Sequence, residues 1–247
     1  MDIQTIPLAR LAFALIPAAG VIVLMQRWRI SYGKTLYAFL RMFVQLMIIG
    51  YALVYIFAAD SGLVVSAVLA VMVVASGAIA LNTIKSGKRA LFPASLASIF
   101  VGGGVTLACV VIGVLRLEPW YAPHMTIPLA GMIFSNSMTS VSLAAERLAS
   151  ETANGAPYAE AKITAFQTAM IPVVNALLAV GLVALPGMMT GQILSGVSPL
   201  IAVRYQIMVM CMIFGSAGLS TALFVHLARN APAFAGAVAS GGEEQGK

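Results

Sequence analysis

Charge is what this chain has least of. Of its 247 residues only 9% are charged, against about 25% in a soluble domain, while 61% are hydrophobic. That balance excludes an ordinary soluble domain and favours a polytopic membrane protein. Cysteine is scarce too. Cys109 and Cys211 both lie inside apolar runs, which excludes a disulfide framework and leaves no Cys-x-x-Cys metal spacing. The two histidines, His124 and His226, lack the H-E-x-x-H context of a zinc protease. A Ser-His pair is only formally available, and no catalytic residue is expected.

Two motors are also missing. "YGKT" (Tyr32–Thr35) resembles the end of a phosphate loop, but the glycine needed five positions earlier is Trp28. Without it the backbone N–H groups cannot wrap a phosphate. If ATP drives this protein, another chain binds it. Proton-driven carriers hold an acid deep in the membrane. Here Asp2, Asp60, Glu118, Glu146, Glu151, Glu160, Glu243 and Glu244 all fall in loops, termini or helix ends. That argues against proton coupling and leaves sodium coupling through backbone carbonyls open. The net charge of +6 is spread over short loops between apolar runs, a topological pattern, so nucleic acid is not expected as a partner.

What is present is length and oil. A spanning helix needs roughly 20 mostly apolar residues. Seven stretches qualify: Leu8–Met25, Met42–Ala59, Gly62–Leu81, Phe92–Leu115, Thr126–Ala145, Gln167–Leu185 and Gln206–Ala228. The fold class is thus all-α, with about seven transmembrane helices in lipid. With the N-terminus outside, eleven basic residues are cytoplasmic: Arg27, Arg29, Lys34, Arg41, Lys85, Lys88, Arg89, Arg147, Lys162, Arg229 and Lys247. Three remain outside: Arg10, Arg116 and Arg204. The positive-inside rule then gives N-out and C-in.

The permease domain is expected over residues 1–228. Within it, Gln26–Arg41 suits an interfacial helix, with Trp28, Tyr32 and Tyr37 among basic residues, or equally a basic linker. Glu146–Phe166 is the longest polar stretch between spans and falls on the cytoplasmic side. Residues 229–247 have the composition of a disordered tail. "ALPGMMTGQILSG" (Ala184–Gly196) interrupts the apolar pattern with proline, glycine and polar residues. "IPLAGM" (Ile127–Met132) likewise places a proline just before Gly-Met, at the other outer helix end.

Polar groups at depth are the pathway candidates. Asn136 lies about 15 Å into its expected span and Asn175 about 12 Å into the next, at 1.5 Å per residue. Met132, Asn136, Thr139 and Ser140 share one helix face. An unpaired amide in lipid costs several kcal/mol, so these residues face protein or water. Helix–helix hydrogen bonding is the structural alternative. Thioethers are soft metal ligands, although methionine is also ordinary filler. Of the fourteen methionines, Met188 and Met189 beside two glycines stand apart. With Thr190 and Gln192 they line a break read as an outer gate.

"GLVALPGMMTGQILSGVSPLIAVRYQIMVM" (Gly181–Met210) resembles the signature of FetB-type ABC permeases. These are membrane subunits of an iron exporter, related to a plant aluminium-tolerance permease. "RMFVQLMIIGYALVYIF" (Arg41–Phe57), "IPLAGMIFSNSMTSVSLAAERL" (Ile127–Leu148) and "AMIPVVNALLAVG" (Ala169–Gly181) agree in order. The resemblance implies a permease homodimer on two cytoplasmic ABC ATPase subunits, which bind ATP and Mg; this chain holds no cofactor. It implies a bacterial inner-membrane location. It also implies that the segment around Glu151, Gly155, Ala156, Glu160 and Lys162 docks the ATPase. The chain departs from the family there: the loop is shorter, and Asn154 precedes Gly155-Ala156. The expected function is metal export, with iron foremost. No carboxylate–histidine cluster lies at membrane depth, so the metal site is unknown. An ATP-independent transporter or channel, an exporter of a metal chelate or nucleotide sugar, and a receptor-like subunit are the alternatives.

Overall fold

A computed structural model describes residues 7–59, 61–84, 87–231 and 234. The expectations resting on Asp2, Asp60, Lys85, Glu243, Glu244 and Lys247 lie outside those residues. The chain divides into two units, Met1–Ala59 and Asp60–Lys247.

In the first unit a short helix α1 (Leu8–Leu11) passes through a 3-10 turn, Ala12–Ala14, into α2 (Leu15–Arg27). An unbroken helix would need a Pro17 N–H to bond the Phe13 carbonyl. Restarting at Leu15 places Pro17 in a first turn, where no such bond is owed. Arg29 turns the chain at φ 57, and α3 (Gly33–Ala58) follows as one 26-residue helix. A separate interfacial helix over Gln26–Arg41 is therefore not formed. Gln26 and Arg27 end α2, and Gly33–Arg41 are the opening turns of α3. Once past Gly33 that stretch holds no helix breaker, so the helix starts well before its lipid-like part.

The second unit is α4 (Gly62–Ala80), α5 (Lys88–Ala108), α6 (Pro123–Ala153), α7 (Tyr158–Ala179), α8 (Gly187–Leu194) and α9 (Pro199–Leu227). One π turn, Cys109–Val114, ends α5. The described residues form no strand. Among the described residues six helices are long and apolar enough to cross a membrane, and Ala12–Arg27 is a shorter apolar helix. The chain is thus an all-α polytopic membrane protein. Its expected first span is the short, interrupted one.

Helix ends differ most from the hydropathy reading. Glu146–Phe166 is not a loop. Residues 146–153 continue α6, Tyr158 already starts α7, and only Asn154–Pro157 turn between them. Charged residues are good helix formers, so helices outrun the lipid-like segment. The stop is a C-terminal cap: Gly155 takes φ +87, and the Ala156 N–H donates to the Glu151 carbonyl at 3.1 Å. That is the left-handed glycine closure of a helix, followed by proline. At the chain's far end Ala228–Asn230 form a 3-10 turn, and Ala231 and Phe234 are buried. The tail expected to be disordered from 229 is therefore ordered at those positions.

The core lies where α9 packs on α5 and α6, and α6 on α4 and α7. Ile99, Ile133, Val141, Leu148 and Phe224 are fully buried. Small residues bring the backbones close. A Cβ on Gly102 would sit 2.6 Å from the Ser220 backbone nitrogen. Two serine hydroxyls link this seam: Ser220 donates to Ser137 Oγ at 3.1 Å, and Ser137 donates to the Ser216 carbonyl at 3.2 Å.

Candidate functional site

Four helices of the second unit line a half-open cavity of about 360 Å³. One wall is the face of α6 bearing Met132, Asn136, Thr139 and Ser140, the grouping that helical spacing predicts. Opposite stand Pro172, Val173 and Ala176 of α7, and Gln206 and Met210 of α9. Pro186, just before α8, and Gly187 and Met188 of α8 form the end. No charged side chain lines it.

The polar groups are satisfied unevenly. Asn136 Nδ2 donates to the Met132 carbonyl at 2.8 Å, and Thr139 Oγ1 to the Ser135 carbonyl at 2.9 Å, both back-bonds within α6. Gln206 is different. Its side chain is 6% exposed, and its Oε1 is buried with no hydrogen-bond partner. Leaving a buried acceptor unpaired costs about 1–3 kcal/mol.

The structure brings together some expected pathway residues and not others. Met132, Asn136 and Met188 share the cavity. Asn175 is exposed on another face of α7 and does not line it. The two asparagines also differ in depth. Asn136 lies thirteen residues after the start of α6, and Asn175 only four before the end of α7. Those offsets are about 20 Å and about 6 Å from the α8 end of the unit. The break at Pro186–Gly196 is mostly a short helix, so its side chains diverge around an axis. Met188 turns inward, whereas Met189, Thr190 and Gln192 lie half-buried elsewhere. Thr190 Oγ1 donates back to the Pro186 and Gly187 carbonyls. Gln192 Oε1 is buried and unpaired.

Sequence reasoning missed Gln206 and Met210 as cavity residues. The signal was a lone amide in "IAVRYQIMVM", which the expected span over Gln206–Ala228 put at its first position. It is the eighth residue of α9.

At the opposite end of the unit, Glu151 pairs with Arg147 at 2.6 Å along α6. Gly155 and Ala156 form the turn, and Glu160 and Lys162 are exposed on the first turns of α7. The Tyr158 hydroxyl donates to the Val225 carbonyl, and Phe234 packs on its ring with centroids 6.0 Å apart. These contacts fix the turn to the end of α9. Among the described residues no three His, Cys, Asp or Glu side chains cluster as a metal site would require.

Membrane-length helices around an uncharged cavity with an unpaired amide are the build of a polytopic membrane permease. A family model described as "Uncharacterised protein family (UPF0014)" matches residues 8–231, and the chain belongs to that family. The UPF0014 membrane protein slr1647 of Synechocystis sp. is 36% identical over 204 residues, 76% of this chain and 79% of its own. The probable iron export permease protein FetB of Escherichia coli is 32% identical over 245 residues, 92% of each chain. The protein ALUMINUM SENSITIVE 3 of Arabidopsis thaliana is 32% identical over 234 residues, 85% of this chain and 84% of its own. No solved structure matches the chain significantly.

Proposed function

We propose that this chain is the membrane-spanning permease subunit of an ABC transporter that exports a metal ion from the bacterial cytoplasm. The observation that carries the reading is the end-to-end similarity to a relative named as a probable iron export permease. That name makes iron the first metal to test. The chain has no phosphate loop of its own, so ATP and Mg bind a separate cytoplasmic ATPase. The permease works as a homodimer in the inner membrane. The cavity beside Asn136 and Gln206 is its substrate pathway, and α8 is its outer rim.

Orientation follows from charge. Lys88, Arg89, Arg147, Lys162 and Arg229 fall at one end of the second unit's helices, and Arg116 and Arg204 at the other. The richer end is cytoplasmic, which gives N-out and C-in. The α6–α7 turn, with Glu151, Gly155, Ala156, Glu160 and Lys162, then faces the ATPase and docks it. ATP binding and hydrolysis move the two permease copies between inward- and outward-open states as near-rigid bodies.

Inverted membrane vesicles carrying the permease, with and without its ATPase, test this. ATP-dependent accumulation of iron that requires both chains is the expected result. Transport by the purified permease alone, driven by an ion gradient, would overturn the reading in favour of a secondary transporter.

A further inference from the structure

Of the helices that line the cavity, α6 and α7 meet at the turn Asn154–Pro157, and the end of α9 is fastened beside it. Tyr158, which opens α7 just after Pro157, is 5% exposed, and its hydroxyl donates to the Val225 carbonyl of α9. We infer that Tyr158, backed by Phe234, is a positioning residue that carries movement of the α6–α7 turn into α9 and so into the cavity wall. The inference rests on the reading of that turn as the ATPase dock. It names the contact through which the docked partner acts on a third helix.

Three observations converge. Val225 lies in the last turn of α9, where carbonyls run out of helical N–H partners. A neighbouring hydroxyl satisfies such an acceptor without opening the helix, and a bare one inside the protein is unfavourable. Second, the chain past α9 turns back onto this contact. After the 3-10 turn Ala228–Asn230, the Ala231 N–H donates to the Ala228 carbonyl and the Phe234 N–H to the Ala231 carbonyl, both at 3.0 Å. Phe234 is 3% exposed, and its ring is tilted by 57° against that of Tyr158. Aromatic pairs of this kind hold together beyond the area they bury, so Phe234 keeps the phenol against α9. Third, α9 runs as a single helix from Pro199 to Leu227 with no proline past its first turn. Its fastened end and its cavity stretch therefore belong to one rod. Ile213, which lines the cavity, stands twelve residues before Val225, about 18 Å of helix.

The test uses the full-length permease assembled with its ATPase, with Cys109→Ala and Cys211→Ala, because both thiols are free and exposed. A nitroxide spin label is placed on one cavity wall at a time, at Ile213→Cys of α9 or Met132→Cys of α6. Its spectrum is compared between the nucleotide-free complex and the complex trapped with ATP and vanadate. Both labels should respond to nucleotide. A hydrogen bond of ordinary net strength corresponds to roughly a five-fold shift in an equilibrium, so Tyr158→Phe should shrink the α9 response by about two- to five-fold and leave the α6 response as it was. Phe234→Ala should act in the same way, and Phe234→Leu, which keeps an apolar side chain behind the phenol, should restore most of the response. A merely structural role would not separate the two walls. An α9 response that survives Tyr158→Phe would overturn the link and leave ATPase docking standing. One that survives Phe234→Ala would strike Phe234 from it. Equal loss at α6 and α9 would also overturn the link, because Tyr158 would then serve docking itself. If neither label responds to nucleotide before Tyr158 is changed, the ATPase reading falls and the link falls with it.

Discussion

Replacing Gly102 by alanine adds one methyl group where α5 and α9 touch. The new Cβ would lie 2.5 Å from Ser220 Oγ, 2.6 Å from the Ser220 nitrogen and 2.9 Å from its Cα. The hydroxyl can rotate away, but the two backbone atoms cannot. Ordinary contact begins at 3.4 Å, so the helices must part by close to 1 Å along the tightest line, a shift of the overpacking kind. Ser220 also donates to Ser137 Oγ on α6, so the displacement strains a three-helix seam. Overpacking of this kind costs about 1–3 kcal/mol. For a chain of this length each kcal/mol shifts the midpoint by about 2–4 °C, so Gly102→Ala should melt about 2–12 °C lower. Gly104→Ala is the internal control. It lies on the same helix with open space around its Cβ, and alanine there should be neutral or stabilising by up to about 1 kcal/mol. Thermal size-exclusion in one detergent reads both. Equal midpoints for the two variants would refute the account of α5–α9 packing as limited by that contact.

Asn136→Leu should lower vesicle transport while leaving ATPase copurification intact, whereas Asn175→Leu, outside the cavity, should cost less; the reverse order would shift the pathway to the exposed face of α7. Gly155→Val forces a β-branched residue to φ +87 and should destabilise the turn by at least about 1–2 kcal/mol, read as a lower melting midpoint and weaker ATPase pull-down. Deleting Gly155–Ala159 should abolish that pull-down altogether, and unchanged binding would remove the docking assignment. Tyr158→Phe removes the hydrogen bond to the Val225 carbonyl, costing about 1 kcal/mol; amide exchange near Ala231 should quicken, and protection equal to the parent chain would show that the bond holds nothing in place.

The middle of the second unit was readable because its code is simple. The span expected over Gly62–Leu81 appears as Gly62–Ala80, bounded on both sides by a drop in apolar character. Where helices run on into water, hydropathy and helicity part company. Glu146–Ala153 and Tyr158–Phe166 are polar and helical at once, so composition reads them as a loop. Facing is the harder problem. Periodicity grouped Met132, Asn136, Thr139 and Ser140 on one side of α6, and they do line one wall. It carries no information about which side of a neighbouring helix turns the same way, and Asn175, grouped with Asn136 by expected depth alone, lies on an exposed face of α7. The run Pro186–Gly196 was legible as a break but not as eight helical residues, because glycine and proline mark interruption without saying what fills it. The helix decides that Met188 and not Met189 reaches the cavity.

The four-residue turn between α6 and α7 makes those helices a pair of levers. Glu151 to Asn136 is about 22 Å of uninterrupted α6 at 1.5 Å per residue, since Pro128 lies beyond the cavity. A tilt of about 5° imposed at the turn would sweep the Met132–Ser140 wall by about 2 Å over that arm. In α7 the arm is interrupted at the cavity itself, because Pro172 has no N–H for the Thr168 carbonyl. Under such a tilt one arm would swing whole while the other would flex at its joint. Pushed from the same point, the two walls would travel by different amounts, and the space between them would change width instead of merely changing place.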